Sequence, residues 1–449
     1  MDAFKRGEAL ILFLGDFCFL LLSLWLTLFI RYGDELLWNA FLIHLVPFSI
    51  LYIVWILVFF IAGMYERHTA IFRNELPAII LRALIANNII AVLFFYFIPY
   101  FGITPKTNLF IYLFLSFIFI LSWRLYGYTL FGVRRKQNAI LIASGEEMKE
   151  LKNEVNANPY INLKFISSVD LLDVSAIDFQ TEVLERIFTE DATMVVVDFK
   201  NEKINNLLPH LYKLLFSNIA FVDMHTLYEE IFNRIPLSLI TYSWVLENIS
   251  LFPKVTYDFL KRVMDLSISF FVAIISLLIY PFVYIGIKLD DGGPIFIKQE
   301  RVGKNSKIIH MVKFRTMTVN HTDLLSRNEE NQITRVGYIL RKYRIDELPQ
   351  LWNVFRGDIS LIGPRPELPS GVHQYEKEIP YYGVRHLIKP GLSGWAQIYQ
   401  KNHPHHGLEV SKTKEKLSYD LYYLKNRSFL LDIKIALKTI KTLLSRSGI

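Results

Sequence analysis

Four long apolar stretches in the first third of the chain limit its fold more strongly than any other feature of the sequence. They cover approximately residues 9–30, 42–63, 76–100 and 108–131. Each is long enough to cross the ~30 Å hydrocarbon core of a bilayer as an α-helix. The first is too long for a removable signal peptide and lacks a small-residue cleavage site. The stretches therefore predict a four-helix transmembrane bundle over residues 1–135.

The basic residues around these stretches predict the orientation of the bundle. Three flanks carry most of them, namely Lys5 and Arg6, Arg67 and Arg73, and Arg134, Arg135 and Lys136. The other two loops have only Arg31 and Lys106. Because cytoplasmic loops are enriched in Lys and Arg, we expect both ends of the bundle in the cytoplasm.

Asp16 lies inside the first apolar stretch, where a carboxylate is costly. Such a group can mark a functional site within the membrane. The alternative is that it pairs with a neighbouring helix or lies near the membrane interface, and the sequence favours this structural role.

Composition excludes several other classes of protein. Of the 449 residues, 52% are hydrophobic and 20% are charged, so the chain is neither disordered nor confined to the bilayer. Its formal charge of +7 fits anionic lipid or a phosphorylated substrate and is not a nucleic-acid signal. A single cysteine, Cys18, rules out an internal disulfide framework and a cysteine-based zinc site.

Residues 136–250 show the pattern of a soluble α/β domain. Apolar runs that predict strands lie at 139–143, 163–169, 194–199 and 219–222, and helix-compatible stretches between them include 146–156 and 201–216. This alternation favours a Rossmann-like parallel sheet with crossover helices. The first strand-to-helix turn has only Gly145 in place of a G-x-G-x-x-G motif, although Asp170 ends the second strand where a ribose-binding acid would lie. We expect a structural or regulatory module, with nucleotide binding as the alternative.

A fifth apolar stretch, residues 263–287, begins the last predicted domain, 251–449. A helix here could span the membrane. However, Pro281 removes a helical hydrogen bond and kinks the helix, and the neighbouring Tyr280 offers a hydroxyl to a freed backbone group. A helix broken at this pair could enter one leaflet and return to the same face. The sequence favours this re-entrant membrane helix over a fifth span.

Beyond residue 290 the sequence concentrates charged side chains beside Gly and Pro. Asp346 and Glu347 are adjacent carboxylates, and we expect Asp346 to be the N-cap of a helix that continues through Pro349. A helix N-terminus favours bound anions and keeps a nearby carboxylate ionised. One carboxylate could then attack phosphorus while the other holds a divalent cation. Taken alone, the pair is more often an ordinary capping residue beside a solvated acid.

Three basic residues add to this pattern. Lys313 and Arg315 alternate around Phe314 on a predicted strand, so they share one face while Phe314 points inward. Arg365 lies between two prolines that restrict its backbone, and its guanidinium could be preset for a pair of phosphate oxygens. The alternatives are a solvated strand face and a rigid turn. Together the cations indicate an anion site beside the two carboxylates.

The C-terminal part of the chain has two further patterns. Residues 430–444 predict an amphipathic helix on the membrane or the bundle, with Ile433, Leu437, Ile440 and Leu444 on one face and Lys434, Lys438 and Lys441 largely opposite. His403, His405 and His406 invite a metal site, but without a partner cysteine or spaced acids we expect a surface loop.

Three sequence blocks resemble a known family. They are D-E-L-P-Q-L at 346–351, G-D-I-S-L-I-G-P-R-P at 357–366 and K-P-G-L-S-G-W-A-Q at 389–397. In this order they resemble the bacterial sugar transferases, the monotopic phosphoglycosyl transferases. The whole chain is similar to the large members that begin undecaprenyl-linked exopolysaccharide, capsule or O-antigen synthesis. Those carry four membrane spans, a central Rossmann-like domain and a mainly helical catalytic domain.

The resemblance implies transfer of a sugar-1-phosphate from a UDP-sugar to undecaprenyl phosphate, at the cytoplasmic face of the bacterial inner membrane. It implies that Asp346 forms a covalent phosphosugar intermediate and that Glu347 helps to bind Mg²⁺. It also places Lys313, Arg315 and Arg365 around the diphosphate. A homodimer is compatible with it, and a nucleic-acid partner is not expected. The sequence does not identify the sugar.

Two positions depart from the family pattern. The usual Ser-Pro at the helix break is Tyr280-Pro281 here, so the cap of the break differs. The usual Asp-Pro-Arg before Ile-Thr is replaced by Asn331-Gln332, so no substrate role is assigned there. Two alternatives stay open: a ternary-complex reaction with Asp346 as base, and a non-catalytic membrane scaffold for polysaccharide assembly.

Overall fold

A computed structural model describes most of the chain. The described residues are 2–65, 76–98, 106–130, 136–158, 161–172, 187, 189, 191–217, 219–249, 254–290, 292–318, 332–400 and 410–444. They belong to two compact units that alternate along the middle of the sequence. One unit contains Met1–Ile140, Lys152–Ser168 and Asp178–Met194, and the other contains Leu141–Leu151, Val169–Ile177 and Val195–Ile449.

Four long helices carry the apolar stretches of the first third of the chain. They are α1 (Asp2–Tyr32), α2 (Asp34–Ile61), α3 (Leu76–Phe97) and α4 (Lys106–Leu130). Each includes a segment long and apolar enough to cross a membrane. The helices pack around a shared apolar core in which Tyr52, Trp55 and Tyr112 are almost fully buried. The predicted helices are confirmed, and their passage through a bilayer stays a prediction.

Asp16 is paired inside this group of helices. Its fully buried carboxylate accepts a hydrogen bond from Arg124 Nε of α4 at 3.1 Å and forms an ion pair with the same guanidinium. Arg124 also donates to the carbonyl oxygen of Met64 at 2.7 Å. A buried charge needs such partners because an unpaired one costs several kcal/mol. The predicted pairing with a neighbouring helix is confirmed.

The described part of the middle segment contains a parallel sheet of four strands in the order β2-β1-β3-β4. Among its described residues, the strands are β1 (Gln137–Ala143), β2 (Leu163–Asp170), β3 (Met194–Val197) and β4 (Ala220–Asp223), and the helices are α5 (Glu146–Ala157), α6 (Leu208–Leu214), α7 (Met224–Phe232) and α8 (Tyr242–Asn248). The predicted α/β alternation is confirmed. The helix predicted over 201–216 is instead α6 flanked by 3₁₀ segments at Glu202–Asn206 and Leu215–Ser217. Asn201 starts the first of them by accepting a hydrogen bond from the Lys203 N–H.

Helix α9 (Val255–Asp290) carries the fifth apolar stretch. It is continuous through Pro281, so the helix does not end at the predicted break. By length and composition it is a fifth candidate span. Its central apolar side chains are exposed, including Phe271, Ile275 and Leu278. The re-entrant course therefore stays a prediction.

The rest of the chain is mainly helical, as predicted. Its elements are β5 (Phe296–Val302), β6 (Ile308–Phe314), α10 (Arg335–Lys342), a 3₁₀ helix (Ile345–Gln350), α11 (Leu351–Arg356), β7 (Ser360–Ile362), α12 (Pro369–Glu378), a 3₁₀ helix (Tyr382–Leu387), β8 (Gly391–Ser393), α13 (Trp395–Tyr399), α14 (Val410–Asn426) and α15 (Phe429–Leu444). Strands β5 and β6 pair antiparallel, and β7 and β8 pair parallel. His403, His405, His406 and Asn331 lie outside the described residues.

Helix α15 confirms the helix predicted for the tail, and its placement on a membrane stays a prediction. It buries Asp432 and Ile435, whereas Ile440 of the predicted apolar row is exposed. Lys438 Nζ lies 4.2 Å from the ring centroid of Tyr399 and donates a hydrogen bond to its hydroxyl at 2.6 Å. Lys434 similarly lies over the Trp395 ring. The lysines thus contact aromatic rings of α13, because their long aliphatic stems can cover apolar surface while the ammonium group meets a ring face.

Candidate active site

The two candidate carboxylates lie on the 3₁₀ helix Ile345–Gln350, which we call the acidic turn. Arg344, in the left-handed conformation at φ 52°, occupies its N-cap position, so the prediction that Asp346 is the N-cap is wrong. The turn begins two residues earlier than predicted because Ile345 and Leu348, three residues apart, pack on the same apolar side. The buried residues of that cluster are Val283, Ile287, Phe314 and Leu340.

Glu347 is held by basic side chains. Arg365 Nη2 donates to its Oε1 at 2.9 Å, and Arg344 Nη1 lies 4.0 Å from its Oε2. Burial raises the pKa of the Glu347 carboxyl, but the charges of Arg365 and Lys313 outweigh burial and lower the pKa to about 2. Glu347 is therefore ionised at neutral pH.

Asp346 lies in a different electrostatic environment from its neighbour. Burial, and then the negative charge of Glu347, raise the pKa of the Asp346 carboxyl to about 6, against the opposing charges of Lys313 and Arg341. Two adjacent carboxyls thus have well-separated pKa values. Such a separation is typical of sites in which two acids have different chemical roles.

Lys313 and Arg315 have different described contacts, and their common face stays a prediction. Lys313, on β6, is coupled electrostatically to both carboxylates, and its pKa is lowered by burial against the opposing charge of Glu347. Arg315 follows the end of β6 and is buried, with its guanidinium against Gly293. A Cβ at Gly293 would lie 1.7 Å from Arg315 Nη1, so this contact requires glycine. The structure brings Lys313 and Arg365 to the acidic turn. It packs the Arg315 guanidinium against Gly293, and the predicted place of Arg315 around a diphosphate stays a prediction.

Tyr280 contacts the same region from α9. Its ring centroid lies 4.9 Å from that of Phe314, in a T-shaped arrangement. Phe314 is the last residue of β6 and follows Lys313 directly. The Tyr280-Pro281 pair of α9 therefore lies beside the strand that supplies the site lysine.

The loop that carries Arg365 is fixed through its backbone. Arg385 Nη2 donates to the Arg365 carbonyl oxygen at 3.0 Å, and Arg301 Nη1 donates to that of Pro366 at 3.2 Å. The Val302 N–H donates to the Glu367 carbonyl oxygen at 2.9 Å, so the loop runs alongside the end of β5. These contacts hold the Arg365 guanidinium towards Glu347.

A buried ionic cluster lies behind this loop. Glu367 forms an ion pair with Lys416, and Arg385 Nη1 lies 3.7 Å from the same Glu367 oxygen. Asp420 Oδ2 forms an ion pair with Arg385 Nη2 at 2.7 Å. Burial raises the pKa of Glu367, but the charges of Lys416 and Arg385 outweigh burial and lower it to about 2. Sequence inspection missed this cluster because its four residues are separated by up to 53 positions and form no local motif.

Among the described residues, no group of three or more His, Cys, Asp or Glu side chains could enclose a metal ion. Glu347, ionised and partly exposed, fits a different arrangement. Mg²⁺ is commonly bound by one or two carboxylates together with substrate phosphates and water. A divalent cation at the acidic turn would be held in this way.

Comparison with known proteins places this site in context. Residues 256–446 match the family described as bacterial sugar transferase. The chain is 41% identical over 206 residues to a UDP-N-acetylgalactosamine-undecaprenyl-phosphate N-acetylgalactosaminephosphotransferase of Aeromonas hydrophila, covering 44% of this chain and 47% of that protein. It is 36% identical over 187 residues to the UDP-glucose:undecaprenyl-phosphate glucose-1-phosphate transferase of Escherichia coli, covering 40% and 39%.

The matched region can make up almost an entire relative. The chain is 37% identical over 194 residues to the exopolysaccharide production protein PSS of Rhizobium leguminosarum, covering 42% of this chain and 96% of that protein. It spans less than half the length of the Aeromonas and Escherichia relatives. The acidic turn and the Arg365 loop both lie inside the matched residues. The chain belongs to the bacterial sugar transferase family.

Proposed function

We propose that this protein transfers a sugar-1-phosphate from a UDP-sugar to undecaprenyl phosphate, with release of UMP, as the first membrane step of exopolysaccharide, capsule or O-antigen synthesis. The observation that carries the proposal is the pair of adjacent carboxyls with separated pKa values inside the family region. The names of the Aeromonas and Escherichia relatives support both the nucleotide sugar and the lipid acceptor.

Asp346 is the nucleophile in this proposal. With a pKa of about 6, its carboxylate is mostly ionised at neutral pH, so the attack needs no separate base. A carboxylate oxygen bonds to the sugar-linked phosphorus, the phosphoanhydride bond breaks, and UMP leaves with the bonding electrons. An oxygen of undecaprenyl phosphate then attacks the same phosphorus, which releases the Asp346 carboxylate and forms the lipid diphosphate sugar. The kinetics are then ping-pong.

Glu347 and the basic residues stabilise charge and form no covalent bond with the substrate. The low pKa of Glu347 keeps it ionised and fit to hold Mg²⁺ together with substrate phosphate oxygens. The cation would neutralise the diphosphate. Lys313 and Arg365, positioned before the reaction, stabilise the negative charge of the transferring group. Arg315, whose guanidinium packs against Gly293, is proposed to lie around the diphosphate with them.

The contacts of α9 support a catalytic domain on one face of the membrane. Near its start, Arg262 donates to the carbonyl oxygens of Val354 and Phe355 at 2.8 Å each. Near its end, Asp290 accepts from the Val336 N–H at 2.9 Å, and Ile287 packs in the cluster beside the acidic turn. Both ends of the helix thus contact the residues that follow it.

A helix that crosses the bilayer would not allow this arrangement. At 1.5 Å per residue, the segment from Arg262 to Ile287 would be roughly 37 Å long if straight, more than the ~30 Å hydrocarbon core. One end would then lie across the membrane from the domain that contacts the other end. A re-entrant helix returns both ends to one face. We therefore place the domain on the cytoplasmic face of the bacterial inner membrane, where UDP-sugars are available.

The test is release of UMP by the purified full-length protein supplied with undecaprenyl phosphate, Mg²⁺ and a panel of UDP-sugars. We expect release with at least one UDP-sugar, and Asp346→Asn should abolish it. Near-normal turnover by Asp346→Asn would contradict the nucleophile assignment. Absence of release with every sugar, from folded protein, would favour the non-catalytic scaffold.

A further inference from the structure

A second group of basic residues surrounds a cavity of ≈ 260 Å³ at the N-terminal end of α9. Its charged lining residues are the cations Lys254, Lys261, Arg262, Lys304, Lys389 and Arg427 and the acids Asp258 and Asp265. The cavity is separate from the acidic turn. Arg262 contacts the C-terminal carbonyls of α11, whereas Asp346 and Glu347 precede the N-terminal end of that six-residue helix. No residue of the acidic turn lines the cavity.

The six cations that line the cavity outnumber its two acids. Lys261 is neutralised by Asp432, with Nζ and Oδ2 2.9 Å apart. Arg262 donates only to uncharged carbonyl oxygens, so its charge is not balanced by these bonds. Lys304 and Lys389 are exposed, and neither side chain forms a hydrogen bond or an ion pair with another described residue. Partial burial, and then the charges of Arg262 and Lys304, lower the pKa of Lys389. The cavity is therefore short of negative charge.

The other side of the same helical turns is apolar and exposed. Tyr257, Lys261 and Asp265 of α9 line the cavity. Phe259 is 66% exposed and Val263 is 45% exposed on the turns between them. These side chains continue into the exposed apolar row in the middle of α9. A phosphate group in the cavity would thus lie where polar surface changes to membrane-facing apolar surface.

We propose that this cavity binds the phosphate-bearing headgroup of an anionic membrane lipid. The unbalanced lysines and Arg262 attract the phosphate, and the acyl chains follow the exposed side of α9. The volume is several times the ~30 Å³ share of a water molecule, so a phosphate with part of its glycerol fits. A soluble anion would use the same charges but would leave the apolar side chains without a role, which favours the lipid. The proposal does not depend on the transferase reaction.

Binding can be measured by thermal unfolding of the full-length protein in detergent, without any nucleotide sugar. The protein is titrated with short-chain phosphatidylglycerol, short-chain phosphatidylcholine or inorganic phosphate. Phosphatidylglycerol should raise the unfolding midpoint in a saturable way, and the other two should not at equal concentration. In the Lys304→Ala/Lys389→Ala variant, the apparent affinity for phosphatidylglycerol should fall about tenfold or more, because each surface cation contributes to binding of anionic lipid.

Two controls separate local charge from folding and net charge. Lys298→Ala/Lys377→Ala removes two exposed lysines outside the cavity and should keep the original affinity. Lys304→Arg/Lys389→Arg keeps both charges and should also bind normally, even if the alanine variant folds poorly. Equal stabilisation by phosphatidylcholine, or by inorganic phosphate alone, would overturn the proposal. Unchanged affinity in the folded alanine variant would do the same.

Discussion

Glu367→Gln tests how the loop that carries Arg365 is held. The Glu367 carboxylate pairs with Lys416 and lies 3.7 Å from Arg385 Nη1. Arg385 in turn donates to the Arg365 carbonyl oxygen at 3.0 Å. Loss of the Glu367 charge therefore leaves two buried cations with Asp420 as their remaining acidic partner, and it loosens the support of Arg365.

The pKa of Glu367 sets the expected magnitude. A pKa of about 2 in the folded protein, against an ordinary value of 4.5, corresponds to about 3 kcal/mol in favour of the ionised carboxylate. Because the pKa is lowered by folding, this stabilisation is present above pH 4.5 and is lost as the pH falls towards 2. The Glu367 side chain is 23% exposed, so solvent screening is limited. We expect Glu367→Gln to lower the free energy of unfolding at pH 7 by about 3 kcal/mol.

The assay combines denaturant unfolding of the purified protein in detergent with UMP-release kinetics. Release should fall about tenfold in kcat/KM, because small displacements of a charge-stabilising group are costly. Glu378→Gln, which makes the same change at an exposed position of α12, is the matched control. Unchanged stability in Glu367→Gln, or an equal loss in Glu378→Gln, would refute the reasoning.

Three further predictions follow from the same structure. Arg365→Lys should reduce kcat/KM for UMP release at least tenfold, because lysine lacks the planar guanidinium that donates to Glu347. The variant should remain folded, which circular dichroism can check. Burial, and then the charge of Arg385, lower the pKa of His386 to about 4. The free energy of unfolding should therefore fall as the pH drops from 6.5 towards 4. Thermal unfolding at several pH values should show a weaker pH dependence for His386→Gln. Asp16→Leu should destabilise the apolar helices by about 3–5 kcal/mol, because it leaves the buried Arg124 charge unpaired. Replacement of both Asp16 and Arg124 by Leu should cost less. Limited proteolysis in detergent can compare the two variants.

Helices and strands could be predicted from the sequence where a local residue pattern determines them. The apolar stretches became helices because length and hydropathy suffice, and the short runs of the middle domain became strands because aliphatic residues between polar stretches have few alternatives. The D-E pair and the Gly-Pro-Arg-Pro segment were found because their residues are adjacent in sequence.

Features set by tertiary packing were missed. The N-cap position of Asp346 was predicted from side-chain chemistry, but the packing of Ile345 and Leu348 moved the start of the turn. The packing of Arg315 depends on Gly293, which no local pattern connects to it. The same holds for the lysines of α15, whose aromatic partners come from another helix.

The covalent role of Asp346 is the central claim, and one trapping experiment tests it most directly. The full-length protein is incubated with Mg²⁺ and a UDP-sugar labelled in its sugar phosphate, without undecaprenyl phosphate, and is then digested for mass spectrometry. We predict stoichiometric UMP release and a phosphosugar adduct on Asp346, which disappears when undecaprenyl phosphate is added and is absent in Asp346→Asn. UMP release only in the presence of the acceptor, with no labelled protein at any time, would contradict the account and favour Asp346 as a base in a ternary complex.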